Sequence, residues 1–201
     1  VARLLAGESC ALVTDAGMPA ISDPGEELVR LCAESGVTVV AVPGPSAVVT
    51  ALALSGLPTG RFCFEGFLST AKKSRREHLE AVRGETRTMV FYEAPHKLRD
   101  TLADMLAAWG DREIALCREL TKLHEEVIRT TLSQAAAYYA ETAPRGEFVL
   151  VIRGAAPAAA RSASLEEALE QVAELQAGGM SRKDAARQVA EATGLSRKAI
   201  Y

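Results

Sequence analysis

Long apolar runs and clustered cysteines are both missing from this chain of 201 residues. No run approaches the roughly 18 apolar residues that a membrane-spanning helix needs, and no signal-peptide pattern is present. The four cysteines lie far apart, and the three histidines are isolated from one another in the sequence. This spacing excludes a disulfide framework and argues against a metal site, so we expect buried free thiols in a reducing cytoplasm.

Motifs of the common nucleotide-binding and hydrolytic folds are missing as well. There is no GxGxxG, no Walker A and no GxSxG pattern, so phosphate-loop nucleotide hydrolysis is unsupported. The formal net charge of −3 excludes a bulk polycation. Any contact with nucleic acid must therefore come from local basic patches.

A loop rich in glycine, proline and aspartate, residues 13–25, is the most distinctive stretch that is present. It follows a short apolar run, residues 10–13, which predicts a buried strand, and a helical pattern begins after it at Glu26. A loop of this composition at the end of a parallel strand is where open α/β sheets bind ligands. The alternative is an ordinary strand-to-helix connection with good turn chemistry.

A second strand and helix follow in the same order. The β-branched run 37–42 predicts a buried strand, the turn 43–46 comes next, and a helix of small residues is expected over 47–54. Strand, helix, strand and helix at this spacing predict a βαβα unit with a parallel sheet. The breaker-rich connection that follows predicts a first domain over residues 1–58.

Residues 59–154 predict a second α/β domain of typical small-domain size. The expected strands cover residues 62–65, 86–92, 113–118, 126–129 and 148–152. One helix is expected near 72–83, and a second, with Pro95 in its first turn, runs to about Trp109. A third helix is expected over 132–141, with Ser133 as its N-cap. A linker rich in alanine, proline and serine is expected over 155–164. The tail, 165–201, predicts helices with the outline of a helix-turn-helix.

Five motifs, in this order along the chain, resemble a single family. They lie at residues 14–25, 42–46, 57–67, 91–96 and 117–122. The family is that of the bacterial 16S rRNA ribose 2′-O-methyltransferases that modify a decoding-centre cytidine. It is part of the tetrapyrrole-methylase, or class III, group of S-adenosylmethionine enzymes. The resemblance covers about residues 1–154, and the helical tail also resembles the family's C-terminal region.

This resemblance implies an α/β fold of two units, the first with a parallel and the second with a mixed sheet, plus a small all-α C-terminal domain. It also implies S-adenosylmethionine as the cofactor, bound between the two units, 16S rRNA in the small ribosomal subunit as the partner, and a homodimer. The implied cofactor contacts are Asp15, Ala16, Gly17, Met18, Ser46, Ala47, Tyr92, Arg118, Glu119 and Glu147. Asp15 would anchor the donor through charge-assisted hydrogen bonds, or it braces the turn. Ser46 would begin a helix that donates to the cofactor, or it is a plain N-cap.

The implied reaction transfers an activated methyl group in line to a ribose hydroxyl. Positioning and deprotonating that hydroxyl are then the main tasks. Glu93, His96 and Lys122 are the candidates for the base or the hydroxyl-orienting group, with Glu93 first because it ends a strand. Each of them could instead be a surface charge that caps a strand.

The densest basic run contains Lys72, Lys73, Arg75 and Arg76. Alone, such a run is more often a solvated helix face, but in an RNA enzyme it predicts phosphate contacts. Two alternatives to rRNA methylation stay open. One is a class III methyltransferase for a tetrapyrrole or a protein side chain, against which the basic run and the tail argue. The other is a non-catalytic nucleic-acid binder.

The first residue of the chain is Val1, and the family has a glycine- and proline-containing loop after its first strand that has no counterpart here. We therefore expect a fragment that lacks part of the methyl-donor cleft. Such a fragment would bind S-adenosylmethionine weakly or not at all and would be inactive.

Overall fold

Five short runs of β-branched, apolar and aromatic residues pair into one mixed sheet. The computed structural model describes residues 1–156, 165–193 and 196–200 and divides the chain into two units, Val1–Gly154 and Ala155–Tyr201. The strands of the first unit are β1 (Phe62–Phe67), β2 (Thr88–Glu93), β3 (Glu113–Arg118), β4 (Glu126–Thr131) and β5 (Phe148–Ile152). Their order in the sheet is β1-β2-β5-β3-β4. β1 and β2 are parallel and the other neighbours antiparallel, which confirms the mixed α/β sheet.

Helices cover both faces of this sheet. The helices that pack on it are α3 (Ala47–Ser55), α4 (Lys72–Ala81), α5 (Leu98–Trp109) and α6 (Leu132–Glu141), and the helices α1 (Ala2–Leu5) and α2 (Glu26–Glu34) precede them in the chain. Alternation along β2 shows the two faces: Met89 and Phe91 pack in the core with α4, α5 and α6, whereas Val90 packs with α3. All residues of β5 are buried, as a central strand covered on both faces requires.

The two strands predicted in the first 58 residues are wrong. Residues 10–13 and 37–42 run without a partner strand in the described part of the chain, and Val13 and Val40 are 81% and 80% exposed. A β-strand is stable only when a neighbour satisfies its backbone groups, so apolar character alone does not create one. The parallel sheet predicted for residues 1–58, all of which the structure describes, is therefore absent from them, and Cys10, predicted to be buried, is exposed.

The predicted elements of residues 59–154 are confirmed to within a few residues. One predicted cap is wrong, since α6 begins after Thr131, whose side chain accepts the N–H of Gln134. The Ser133 hydroxyl instead donates to Asp111 over 2.8 Å. The predicted boundary at residue 58 falls inside the first unit.

The second unit consists of helices, as predicted. They are α7 (Leu165–Ala177), α8 (Arg182–Thr193) and α9 (Arg197–Ile200). Alanine and valine side chains of α7 and α8 form a small core with Ile200. The Ser181 hydroxyl accepts the backbone N–H of Asp184 over 3.2 Å, which caps α8. Most of the predicted linker, 157–164, lies outside the described residues. In the described part of the chain, no helix combines the length and apolar character needed to cross a bilayer.

A buried carboxylate fastens α5 to α4. Asp104, 5% exposed, accepts Nε of Arg75 over 2.8 Å and Nε of Arg76 over 2.9 Å. Burial alone would raise the pKa of Asp104, but the hydrogen bonds from Arg76 and Arg75 outweigh burial and hold the pKa below its usual range. The ionised Asp104 carboxylate therefore stabilises the fold fully at pH values above the ordinary pKa of aspartate. This stabilisation is lost as the pH falls through the lowered pKa of Asp104.

We expect Asp104→Asn to lower the free energy of unfolding by about 3 kcal/mol at pH 7, because Arg75 would keep a buried charge without its partner. Urea unfolding measures this. The matched control is Glu80→Gln, whose exposed pair with Arg83 should contribute less than about 1 kcal/mol. The difference between Asp104→Asn and the unaltered chain should shrink in acid below the lowered pKa, and a constant difference would contradict the assignment.

Candidate functional site

The ends of the first three strands gather at one edge of the sheet. Phe148, the first residue of β5, pairs with Glu93 on one side and with Arg118 on the other. In the parallel pair, Phe67 at the end of β1 lies opposite Tyr92. The carboxyl ends of β1, β2 and β3 therefore lie together, as in ligand-binding α/β sheets.

The loop 13–25 and the start of α3 reach the same edge. A Cβ atom added at Gly66 would lie 3.9 Å from Oγ of Ser22. Burial raises the pKa of Tyr92, the backbone N–H of Val48 opposes this, and the charge of Asp23 adds to it. Tyr92 therefore stands beside both the loop and the first turn of α3.

Six of the predicted cofactor contacts lie in two neighbouring segments, residues 15–18 and 46–47. Asp15, Ala16 and Gly17 are exposed, whereas Met18, Ser46 and Ala47 are half-buried. Sδ of Met18 would lie 3.4 Å from a Cβ atom at Gly44, and a Cβ atom at Gly17 would lie 3.7 Å from the Pro45 carbonyl. The Ser46 side chain makes no capping hydrogen bond to α3. Its hydroxyl is thus not used as a helix cap.

Two predicted contacts, Glu119 and Glu147, are joined by Lys122. Its Nζ lies 2.9 Å from Oε1 of Glu119 and 3.0 Å from Oε2 of Glu147. The backbone N–H of Glu147 and then the Lys122 ammonium lower the pKa of Glu119. Glu119 and then Glu147 raise the pKa of Lys122, so this side chain stays charged and suits an orienting role better than that of a base. Arg118 pairs separately with Glu126, with 3.0 Å between Nε and Oε2.

Glu93 is held inside a buried network. The residue is 2% exposed; Oε1 accepts the N–H of Ala94 over 2.8 Å and lies 3.0 Å from Nζ of Lys97. Oε2 accepts the Thr101 hydroxyl over 2.6 Å. Sequence reasoning missed Lys97 and Thr101, although Glu93 and Lys97 have the i, i+4 spacing of an ion pair. His96, in the same turn, is exposed.

The basic run on α4 divides into exposed and buried members. Lys72 is exposed, and the side chains of Lys73 and Arg76 are 90% and 58% exposed. Arg75 is only 5% exposed and pairs with Asp104 at 2.7 Å, so its guanidinium is not available to a phosphate. This corrects the prediction for Arg75 and leaves three exposed cations.

Backbone strain marks both loops at this edge. Within the described residues, positive φ occurs at four non-glycine positions, namely Ala20, Ser22, Glu119 and Thr121. Non-glycine residues in this region cost about 1 kcal/mol or more each and persist only where the surroundings enforce them, often at functional sites. The strain supports this edge as the functional one.

Known proteins resemble the chain along its whole length. Residues 1–136 match the family described as tetrapyrrole (corrin/porphyrin) methylases, and residues 162–201 match the RsmI C-terminal HTH domain. Proteins named ribosomal RNA small subunit methyltransferase I are 48% identical in Synechocystis sp., 45% in Halalkalibacterium halodurans and 43% in Escherichia coli O157:H7. The alignments cover 98–100% of this chain and 70–72% of those proteins.

Two solved structures have the same fold at low identity. The methyltransferase CobJ gives a TM-score of 0.53 at 20% identity, with 70% of this chain and 62% of that one covered. Cobalt precorrin-4 methyltransferase CbiF gives 0.53 at 18% identity, with 68% and 61% covered. The chain thus spans less than two thirds of either structure.

We expect Lys122→Met to raise the pKa of Glu119 toward its ordinary value. The rise should be partial, because the backbone N–H of Glu147 stays in place. Carboxyl-carbon NMR titration measures the change, and Lys73→Met serves as the control because Lys73 pairs with Glu77 on α4. An unchanged Glu119 titration in Lys122→Met would contradict the bridged arrangement.

Proposed function

The chain belongs to the tetrapyrrole (corrin/porphyrin) methylase family, and we propose that the gene product that contains it transfers the methyl group of S-adenosylmethionine to ribosomal RNA of the small subunit. The observation that carries the proposal is its similarity, over the full chain, to proteins named for that activity. The meeting of strand ends, strained loops and a helix start at one edge supports a site for this chemistry there.

The acceptor in this proposal is the 2′-hydroxyl of a decoding-centre cytidine in 16S rRNA, methylated by a cytoplasmic homodimer. The five motifs that resemble the 2′-O-methyltransferases support this finer assignment. Their residues include Ser22, Tyr92 and Glu119, which lie at the shared sheet edge. Because residues of these motifs lie together at this edge, they favour the same reaction as in that family, which is methylation of a ribose 2′-hydroxyl.

S-adenosylmethionine fits the donor set at this edge. It carries an ammonium, a carboxylate, a ribose diol and a sulfonium, and when bound it supplies an activated methyl group. The exposed Asp15 carboxylate can bind the ammonium or the diol. The first backbone N–H groups of α3, next to the uncommitted Ser46 hydroxyl, can bind the carboxylate. Tyr92, near the end of β2, lies at the same edge.

Among the three proposed catalytic residues, we assign three different tasks. His96 takes the proton of the ribose hydroxyl, because it is exposed in the turn after β2 and neutral imidazole is a good base near pH 7. Glu93 positions that turn from inside the protein. Lys122 orients the acceptor as a cation.

The alternatives are less well supported. A tetrapyrrole or protein acceptor requires neither the exposed cations of α4 nor a tail that matches a helix-turn-helix domain. A non-catalytic nucleic-acid binder leaves the strained loops and the sheet edge unexplained.

Tritium transfer from labelled S-adenosylmethionine to undermethylated small subunits, with the modified nucleotide mapped, tests the proposed function and both alternatives. The gene product that contains this chain is the enzyme to use, and label in protein or small molecules alone would contradict the proposal.

In that assay, His96→Gln should lower kcat by about 100-fold or more, because the general base is removed. The KM for RNA should change little. His124→Gln, at another exposed histidine, is the control and should keep its activity. Equal turnover of the two variants would remove His96 as the base.

Charge reversal on α4 should weaken RNA binding and flatten its dependence on salt. Lys73→Glu removes one phosphate contact, so the slope of log affinity against log salt should fall by about 0.7–0.9. Fluorescence anisotropy with rRNA fragments at several salt concentrations measures it. Arg61→Glu, at the opposite end of β1, is the matched control; an equal change in both variants would place the RNA elsewhere.

A further inference from the structure

An exposed phenylalanine stands at the proposed site. Phe67, the last residue of β1, is 53% exposed. The ladder between β1 and β2 shifts register between Phe64 and Gly66, and Gly66 has a φ of +66°. Bulges of this kind redirect the side chains that follow them and are frequent next to active sites. The strand therefore presents the Phe67 ring at the edge where the three strands end.

The Phe67 ring contacts the Tyr92 ring and the Lys97 ammonium. The centroids of Phe67 and Tyr92 lie 5.4 Å apart, and Nζ of Lys97 lies over the Phe67 ring at 5.5 Å. The same ammonium donates to the Leu68 carbonyl over 3.1 Å and pairs with Glu93 at 3.0 Å. Lys97 is thus fixed from three directions, and its side chain is only 14% exposed.

A buried ion pair such as Glu93–Lys97 is weak evidence for a gain in stability. A buried ion pair repays its desolvation only with good geometry, and here it supports a ring that stays largely in water. Unpaired nucleobases stack on aromatic side chains, and RNA is read in single-stranded segments largely in this way. A ring that is held in place and 53% exposed has the properties of a stacking surface.

We propose that Phe67 stacks on an unpaired nucleobase of the RNA substrate, at or next to the nucleotide that is methylated. Lys97 is the positioning residue, and Glu93 holds Lys97. This inference rests on the proposed function and deepens it, because it assigns the enzyme a single-stranded target. The exposed cations Lys72 and Lys73 begin the helix that follows β1, where they can bind the adjoining phosphates.

The test uses the gene product that contains this chain and a single-stranded RNA with one pyrrolocytidine, whose fluorescence falls on stacking. Phe67→Leu, which keeps an apolar side chain, should weaken binding by about 5- to 100-fold and remove the quenching. Phe67→Tyr should keep both. Phe62→Leu, at a phenylalanine that is 36% exposed at the other end of β1, should behave as the unaltered protein. Unfolding curves confirm that each variant is folded.

Lys97 has its own test. Lys97→Met should raise the KM for RNA more than it lowers kcat, with partial loss of quenching, and Lys97→Arg should restore both. Methyl transfer tests the proposed function separately. Quenching that depends on Phe67 without methyl transfer would overturn the proposed activity and keep the stacking surface. Methyl transfer with equal quenching in Phe67→Leu and Phe62→Leu would overturn the stacking surface.

Discussion

The antiparallel pairing of β5 with both β2 and β3 is the constraint on which the site depends. It sets Phe148 between Glu93 and Arg118, so two distant stretches of chain end at the same level. A slip of one residue would turn every side chain of β5 to the opposite face. Because all five residues of β5 are buried, such a slip would disrupt both cores at once. The position of the strand ends is thus protected by the packing of the whole sheet.

The loops at this edge show how the sheet supports strained backbone. Glu119 has a φ of +48°, yet its N–H donates to the Glu147 carbonyl and its carboxylate accepts the Glu147 N–H. Gly146, with a φ of +79°, leaves the space that the Glu119 side chain occupies. The strain is local, and the hydrogen bonds that offset it come from Glu147, the residue just before β5. Rigid strands therefore hold the loop in a conformation it would not adopt alone.

Local patterns predicted much of this molecule, and long-range partners decided the rest. The strands and helices after residue 59 follow from periodicity and turn residues. The run 37–42 has the composition of a buried strand. Whether it forms a strand depends on a partner strand, which composition does not reveal. Arg75 resembles its neighbours in the sequence, and its burial beside Asp104, 29 residues away on another helix, cannot be seen from composition. Likewise the strand-end rule predicted that the candidate residues meet at one edge of the sheet, while the buried position of Glu93 depends on Thr101 and Lys97.

One face of α5 carries Lys97 just before its first turn, then Thr101, then Asp104. Its start supports the Phe67 ring through Lys97, and Asp104 anchors the basic helix α4. Seven residues of helix span about 10 Å, close to the length of one or two nucleotides. In the proposed complex, α5 therefore sets the distance between a base stacked on Phe67 and a phosphate bound at α4. Such a complex would recognise its target by the distance between a base and a phosphate, which is a property of RNA shape rather than of sequence.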